Sequence, residues 1–190
     1  MTGSGALWAT GSSVPDIYIA PHNDDDALFG AYVCLRYKPK IITVLRSFVE
    51  AGWNPPVTHE TRELESAAAA KVLGCEHEQW RFPDNAPDWE EITGTLRKYK
   101  PRRVWAPLPE DGGHPHHNAI GSIAGVLWPQ TAYYSTYTHA HGKTTAGWQV
   151  IPRKGWEERK REAMACYVSQ ATHPQCAVAF SEWAIDEYLS

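Results

Sequence analysis

The sequence lacks several features that would place it in a common class of protein. No stretch of its 190 residues approaches the roughly 18 consecutive apolar residues that a membrane-spanning helix needs. Its 18 basic and 22 acidic residues leave a formal net charge of −4, which excludes an overall positive field for nucleic acid. The one basic cluster, at residues 98–103, is interpreted as a solvated helix end rather than a binding patch. Residues 1–14 do not resemble a signal peptide, and their composition indicates a flexible N-terminal segment, called the lead-in below.

Cysteine is scarce, and the motifs of several enzyme classes are missing. The four cysteines are far apart and form no Cys-x-x-Cys pair. Cys34 falls within a predicted helix, which suits a reduced thiol better than a disulfide framework, so we expect a cytoplasmic location. There is no Gly-x-Ser-x-Gly elbow, which argues against a Ser-His-Asp hydrolase. There is also no P-loop and no Gly-x-Gly-x-x-Gly, the usual signs of nucleotide binding.

The overall composition is typical of a globular protein. Hydrophobic residues make up 43% of the chain and charged residues 21%, and 190 residues are too few for two ordinary domains. We therefore expect one domain over residues 15–190. The nine tryptophans and nine tyrosines could line a sugar-binding cleft or pack in the core. Exposed aromatic side chains would also suit a subunit contact, which leaves a homo-oligomer open.

Strand-like and helical patterns alternate along the chain. The predicted strands cover residues 17–20, 41–45, 79–82, 103–108 and 133–138. The predicted helices cover residues 27–37, 59–73, 89–99, 118–127 and 156–169, with a last short helix at 181–189. Asn118 is expected to cap the helix that it begins. This alternation predicts an α/β fold with a Rossmann-like, mostly parallel sheet and helices on both faces, in three layers.

Polar and charged residues follow three of the predicted strands. The segments are PHNDDD after the first strand, PDN after the third and PEDGGHPHH after the fourth. In open parallel sheets, ligands bind outside the carboxyl ends of the strands. We therefore expect these three segments to share one rim of the sheet and to form a site there.

The segment PHNDDD, residues 21–26, places three carboxylates beside an imidazole. Such carboxylates repel one another unless they are solvated, used as helix caps or neutralised by a cation. The segment HPHH, residues 114–117, adds three histidines at the start of a predicted helix. Taken alone, the first could be a helix cap and the second a surface loop. Together they supply the mixed imidazole and carboxylate ligands that suit zinc in an open catalytic site.

These segments resemble motifs of the LmbE-like or PIG-L de-N-acetylases. In that family the first motif reads roughly (A/P)HPDDE and the second roughly HPDH. Between them lies an R-x-x-E-x-x-x-A-x-x-x-L-G helix, matched here by Arg62, Glu65, Ala69, Leu73 and Gly74. Residues 83–85 (PDN) resemble the family's PDG-like turn, and residues 160–170 (KREAMACYVSQ) resemble its K-x-x-A-L-x-x-Y-x-S-Q segment. Five motifs in the family's order cover residues from about 15 to about 170.

The resemblance implies roles for individual residues. His22, Asp25 and His117 would bind Zn²⁺, or another divalent metal such as Fe²⁺. Asp24 would act as general base, and His114 would stabilise the oxyanion of the tetrahedral intermediate. The implied substrate is a small N-acetylated amino-sugar conjugate of the N-acetylglucosamine type. The implied reaction is removal of its acetyl group by metal-activated water.

Further residues resemble the family's substrate-binding and scaffold positions. Arg62 and Asp84 would grip substrate hydroxyls or orient the histidine, whereas Glu65 would form an intrahelical or scaffold salt bridge. Three positions depart from the family motifs. Asn23 replaces a proline, Asp26 replaces a glutamate, and His116 replaces the aspartate of HPDH. His116 could therefore alter the pKa of His114 or contact the substrate.

Alternatives remain open from the sequence. His139 and His141 could reach the same rim, although an exposed loop is the simpler interpretation, and His173 could close one side of the cleft or pack the last helix. A hydrolase of another amide, an ester or a phosphoester would use a similar metal site. A non-catalytic sugar-binding domain could also keep the fold, but such a domain has no need of the base Asp24.

Overall fold

A seven-stranded sheet lies at the centre of the protein in the computed structural model, which describes residues 15–46, 57–136, 147–173, 176–180 and 186–190. The strands are β1 (Ile17–Ala20), β2 (Lys40–Arg46), β3 (His77–Pro83), β4 (Val104–Pro107), β5 (Ala132–Tyr134), β6 (Trp148–Gln149) and β7 (Tyr188–Leu189). Their order is β3-β2-β1-β4-β5-β7-β6. The first five strands are parallel, whereas β7 runs antiparallel to both β5 and β6. The mostly parallel sheet confirms the predicted fold class.

Helices cover both faces of this sheet. They are α1 (Asp25–Phe29), α2 (Ala31–Tyr37), α3 (His59–Leu73), α4 (Trp89–Leu96), α5 (Pro115–Leu127), α6 (Trp156–Met164) and α7 (Val168–Ala171). None of the described helices is long and apolar enough to cross a membrane. Successive side chains of a strand point to opposite faces. Tyr18 and Ala20 of β1 accordingly pack in the core beneath α1, α2, α3 and α6, and Ile17 and Ile19 pack in the core beneath α4 and α5.

The predicted helix at residues 59–73 is confirmed at both ends by α3. The Thr58 hydroxyl accepts a hydrogen bond from the Thr61 backbone N–H at 3.1 Å, which caps the first turn. Gly74 ends the helix with a left-handed φ of 72°, a conformation that glycine adopts without strain. These local signals suffice because both caps use residues within four positions of the helix ends.

The prediction of one helix over residues 27–37 was wrong. The chain forms two helices that meet at Gly30, where an added Cβ atom would lie 2.3 Å from the Tyr18 ring. Side chains from elsewhere bind the backbone at this break. Lys160 Nζ donates to the Leu28 carbonyl at 2.8 Å, and the Glu187 carboxylate accepts from the Tyr32 N–H at 2.9 Å. These distant partners stabilise an interruption that no helical pattern reveals.

Four other predicted helices also needed correction. The helix at 118–127 begins at Pro115, and His114 rather than Asn118 is its N-cap. The helix at 156–169 is divided into α6 and α7, and the one at 89–99 ends at Leu96. Residues 188–189 form a strand instead of a helix, while residues 181–185 lie outside the described part of the chain. The predicted lead-in at 1–14 and residues 137–138 of the last predicted strand also lie outside it.

Gly121 allows α5 to pack closely against β4. A Cβ atom at this position would lie 2.1 Å from the Pro107 carbonyl oxygen, so the helix would have to move. We expect Gly121→Ala to lower the free energy of unfolding by about 1–3 kcal/mol, measured by chemical denaturation. Gly94→Ala in α4 is the matched control, because nothing lies within 4 Å of its added methyl group. The control should stabilise the protein by about 0.5–1 kcal/mol, and an equal loss in both variants would contradict the packing argument.

Candidate active site

Two loops meet at the carboxyl ends of the neighbouring strands β1 and β4. His22 lies two residues after β1, and Asp25 is the first residue of α1. His117 is the third residue of α5, which follows the loop after β4. Because β1 and β4 pair in parallel, both loops leave the sheet at the same edge. This topology brings together residues that are 95 positions apart in the sequence.

The side chains of His22, Asp25 and His117 converge on one point. His22 Nδ1 lies 3.1 Å from His117 Nε2 and 3.6 Å from Asp25 Oδ2. His117 Nε2 lies 3.2 Å from Asp25 Oδ1. The Asp25 carboxylate is fixed by a 2.8 Å hydrogen bond from the His22 backbone N–H. Asp25 and His117 are fully buried, whereas the His22 side chain is partly exposed.

This cluster has the chemistry of a divalent metal site. One ligand atom of each residue lies within 4.8 Å of the other two. Asp25 Oδ1 is buried and accepts no hydrogen bond from the described residues, although His117 lies beside it. Two imidazoles and one carboxylate fit Zn²⁺ and similar ions and leave a coordination position open for water. Burial would raise the pKa of Asp25, but His117 and His22 hold that pKa well below its usual range.

Asp24 lies beside the cluster of His22, Asp25 and His117 without belonging to it. Its carboxyl group is buried, and its Oδ2 is 3.7 Å from Arg62 Nη2. Burial raises the pKa of Asp24 to about 7, while the Arg62 charge opposes the rise and the Asp25 charge adds to it. A carboxyl group with a pKa near neutrality is suited to accept and return protons at physiological pH.

His114 and His116 lie on the exposed side of the cluster. His116 Nδ1 is 2.9 Å from His22 Nε2, and the His114 ring is 4.9 Å from the His22 ring between centroids. Partial burial, with the charges of His22 and His117, lowers the pKa of His114 to about 4, so the ring is neutral at pH 7. His114 Nδ1 accepts a hydrogen bond from the His116 N–H at 3.2 Å. The proton of the neutral ring is then on Nε2, which can act as a donor.

Arg62 and Asp84 occupy different parts of the site. Arg62 is buried, and its Nη2 donates to the Asn23 carbonyl at 3.1 Å, so it holds the loop after β1. Asp84 follows β3 and lies near enough for its charge to raise the pKa of His116, although burial lowers that pKa overall. The Trp89 ring is 6.0 Å from the His116 ring between centroids. Asp84 and Trp89 therefore lie near His116, whereas Arg62 lies beside Asp24.

The sequence interpretation missed a network behind the loop after β1. Asn23 Nδ2 donates to Ser66 Oγ at 2.9 Å and to Gln79 Oε1 at 2.6 Å. The Tyr167 hydroxyl donates to Asp26 Oδ1 at 2.7 Å and lies 3.3 Å from Ser66 Oγ. Asn23 and Asp26, two of the departures from the family motif, thus fix the backbone on both sides of Asp24 and Asp25. Their partners are distant in sequence, although Tyr167 stood in a segment that resembles the family.

Two smaller expectations also find their outcome here, and a third falls on residues outside the described part of the chain. Glu65 has a scaffold role: it accepts hydrogen bonds from the Ser169 N–H at 2.8 Å and Oγ at 2.6 Å, and it forms no salt bridge with the residues that the structure describes. All four cysteines are free. His139 and His141 lie outside the described residues.

The fold and the site define an α/β protein with a cluster of two histidines and one aspartate, able to hold a metal ion, at the carboxyl edge of its parallel strands. The family model described as PIG-L, GlcNAc-PI de-N-acetylase, matches residues 17–127, which is more than half of the chain. The chain belongs to this family, and the resemblance drawn from its motifs is confirmed. Family membership supports an enzyme of the deacetylase class. No curated protein matches the chain in sequence.

Several solved structures share this fold over nearly their whole length. The conserved protein TT1542 from Thermus thermophilus is 22% identical, with a TM-score of 0.69 and coverage of 93% of this chain and 94% of that one. A zinc-inhibited form of teicoplanin deacetylase Orf2 is 16% identical, with a TM-score of 0.70 and coverage of 92% and 97%. GalB, the 4-carboxy-2-hydroxymuconate hydratase from Pseudomonas putida KT2440, is 13% identical, with a TM-score of 0.69 and coverage of 93% and 95%. The fold is therefore shared by proteins described as deacetylases and by one described as a hydratase.

Proposed function

We propose that the protein removes the acetyl group from an N-acetylated amino sugar held in a small conjugate of the N-acetylglucosamine type. The observation that carries this proposal is the convergence of His22, Asp25 and His117, with the buried carboxyl group of Asp24 beside them. Membership of the de-N-acetylase family supports the choice of an amide over other bonds. The two imidazoles and one carboxylate support a zinc site, and Fe²⁺ suits the same ligands.

Each residue of the site has a distinct part in the proposed reaction. His22, Asp25 and His117 would hold the metal ion, which supplies Lewis acidity and lowers the pKa of water to roughly 7. Asp24 accepts a proton from the attacking water and returns it to the leaving nitrogen. The Nε2–H group of His114 donates to the oxyanion that forms at the amide carbonyl, which contributes on the order of 3 kcal/mol.

The substrate side of the proposal rests on the residues around His116. Asp84 offers carboxylate oxygens that can accept hydrogen bonds from sugar hydroxyls, and Trp89 offers an aromatic face beside His116. Arg62 is committed to Asn23 and lies near Asp24. We therefore assign Arg62 to positioning the loop and the base, with any contact to substrate hydroxyls secondary. Asp84 and His116 are the proposed substrate-binding residues.

The direct test is acetate release from N-acetylglucosamine conjugates. The protein is stripped with a chelator, dialysed and assayed with and without one equivalent of Zn²⁺ or Fe²⁺. We expect release only with metal, and recovery when metal is restored to the stripped protein. N-acetylated amino acids and simple acetate esters serve as matched amide and ester substrates. Release from those compounds but from no sugar amide, with metal bound, would overturn the amino-sugar assignment.

A further inference from the structure

The imidazoles of His22, His114 and His116 form a second set of possible metal ligands. Ligand nitrogens of His22, His114 and His116 all lie within 4.8 Å of one another. His22 Nε2 is 2.9 Å from His116 Nδ1, and the rings of His114 and His116 are 4.9 Å apart between centroids. We call these residues the outer set, and we call His22, Asp25 and His117 the inner set.

The two sets overlap at one side chain. The inner set meets the Nδ1 atom of His22, whereas the outer set meets its Nε2 atom. A neutral imidazole offers one nitrogen lone pair, because the other nitrogen carries a proton. A single metal ion can therefore use His22 in one set or in the other, and the two positions compete.

The outer set differs from the inner set in chemistry and in access. It holds three imidazoles and no carboxylate, and His114 is exposed to solvent. Imidazole suits Cu²⁺, Ni²⁺ and Zn²⁺, and Cu²⁺ forms the strongest complexes among these ions. Ligation through His114 Nε2 would move that ring's proton to Nδ1 and give up the 3.2 Å hydrogen bond from the His116 N–H. Because that bond lies at an exposed helix end, water can replace it.

We propose that His22, His114 and His116 form a second, overlapping site for a divalent ion that prefers imidazole, with Cu²⁺ as its preferred occupant. His116 creates this site, since an aspartate at the same position would leave only two imidazoles. The binding proposal stands apart from the proposed function. An ion in the outer set would engage both His22 and the oxyanion donor His114. Any effect of this ion on acetate release rests on the proposed function.

The first test removes the inner set and asks whether copper binding survives. Asp25→Asn with His117→Asn keeps His22 and the outer set, and copper is titrated into the apo-protein under electron paramagnetic resonance. We expect one Cu²⁺ with three nitrogen ligands. Adding His116→Asn to this variant should weaken copper binding by roughly 10- to 100-fold or more. Losing a residue that only hydrogen-bonds to a metal ligand already costs that much, and His116 is a proposed ligand itself. Equal copper affinity with and without His116 would overturn the proposal, because it would assign the copper to other histidines.

The second test avoids changes in the buried core. The intact chain is compared with His116→Asn and His116→Asp, which alter only a partly exposed side chain. We expect three-nitrogen copper coordination in the intact chain and its loss in both variants. The affinity for one Zn²⁺ should change much less, because Asn and Asp at position 116 can still accept a hydrogen bond from His22 Nε2. Identical copper spectra in the three proteins would overturn the proposal. A loss of zinc affinity as large as the loss of copper affinity would overturn it too, because both ions would then depend on His116 in the same way. Neither measurement requires enzyme activity. Failure of the copper-site proposal can therefore be distinguished from failure of the deacetylase assignment.

Discussion

Replacing Asp24 by Asn is expected to reduce turnover of the amino-sugar substrate by roughly 10²- to 10⁴-fold, the range that positioned general acid–base groups supply. The amide cannot accept the proton of the attacking water, although its size matches the carboxyl group. Metal content should remain at the level of the unchanged chain, because the ligand atoms converge from His22, Asp25 and His117. The measurements are kcat for acetate release and metal content by mass spectrometry.

Asp26→Asn is the matched control for this prediction. Asp26 is also buried, stands two residues further along, and accepts a hydrogen bond from the Tyr167 hydroxyl at 2.7 Å. An asparagine can still accept that bond through its amide oxygen, so most of the turnover should remain. Equal losses of turnover in the two variants would show that turnover depends on the negative charge of this loop and not on a general base at Asp24. Unchanged turnover in Asp24→Asn would favour a site in which Asp24 takes no proton.

The pairing of distant loops could be predicted from the sequence because parallel sheets follow simple rules. Residues at the carboxyl ends of neighbouring parallel strands share one edge, so PHNDDD and HPHH were expected to meet. The structure brings His22 and His117 within 3.1 Å of each other. The residues that hold this geometry could not be predicted in the same way. Their partners lie far along the chain, as with Tyr167 and Asp26 at a separation of 141 residues.

The errors in secondary structure have several physical origins. Helices α1 and α2 meet at Gly30, where the Tyr18 ring occupies the space that a Cβ atom would need, and this close approach is a tertiary contact. Helix α5 begins at Pro115, where a proline at the first position and the His114 cap replace the expected Asn118 cap. Asn118 instead binds the Glu110 backbone through both atoms of its amide, at 3.0 and 2.8 Å. Strands β6 and β7 contain two residues each, too few for any periodic pattern.

A buried ion pair, Lys160 with Glu187, joins the end of the chain to the break between α1 and α2. Lys160 Nζ donates to Glu187 Oε1 at 2.6 Å and to the Leu28 carbonyl at 2.8 Å. The Glu187 carboxylate also accepts from the Tyr32 N–H. Burial lowers the pKa of Lys160 and raises the pKa of Glu187, while each partner's charge opposes the shift of the other. Desolvation and attraction therefore act against each other at this position.

We expect Glu187→Gln to lower the free energy of unfolding by about 3–5 kcal/mol, the usual cost of leaving one charge of a buried pair uncompensated. Glutamine keeps the length of the side chain and one acceptor for the Tyr32 N–H, so the loss reports mainly on the charge of Lys160. Lys160→Met should also destabilise the protein, because Glu187 then remains charged in the core. The measurement is denaturant unfolding at pH 7, with the slope of the transition compared between variants.

The double variant Lys160→Met with Glu187→Gln decides whether the cost arises from the unpaired charge or from lost packing. Replacing both partners of a buried pair removes the desolvation penalty of each, and such replacements are often close to neutral. The double variant should therefore be more stable than Glu187→Gln alone, which gives a favourable coupling between the two sites. Losses that simply add would mean that the pair contributes through shape and hydrogen bonds to Leu28 and Tyr32. In that case the break at Gly30 would depend on the geometry of these side chains and not on their charges.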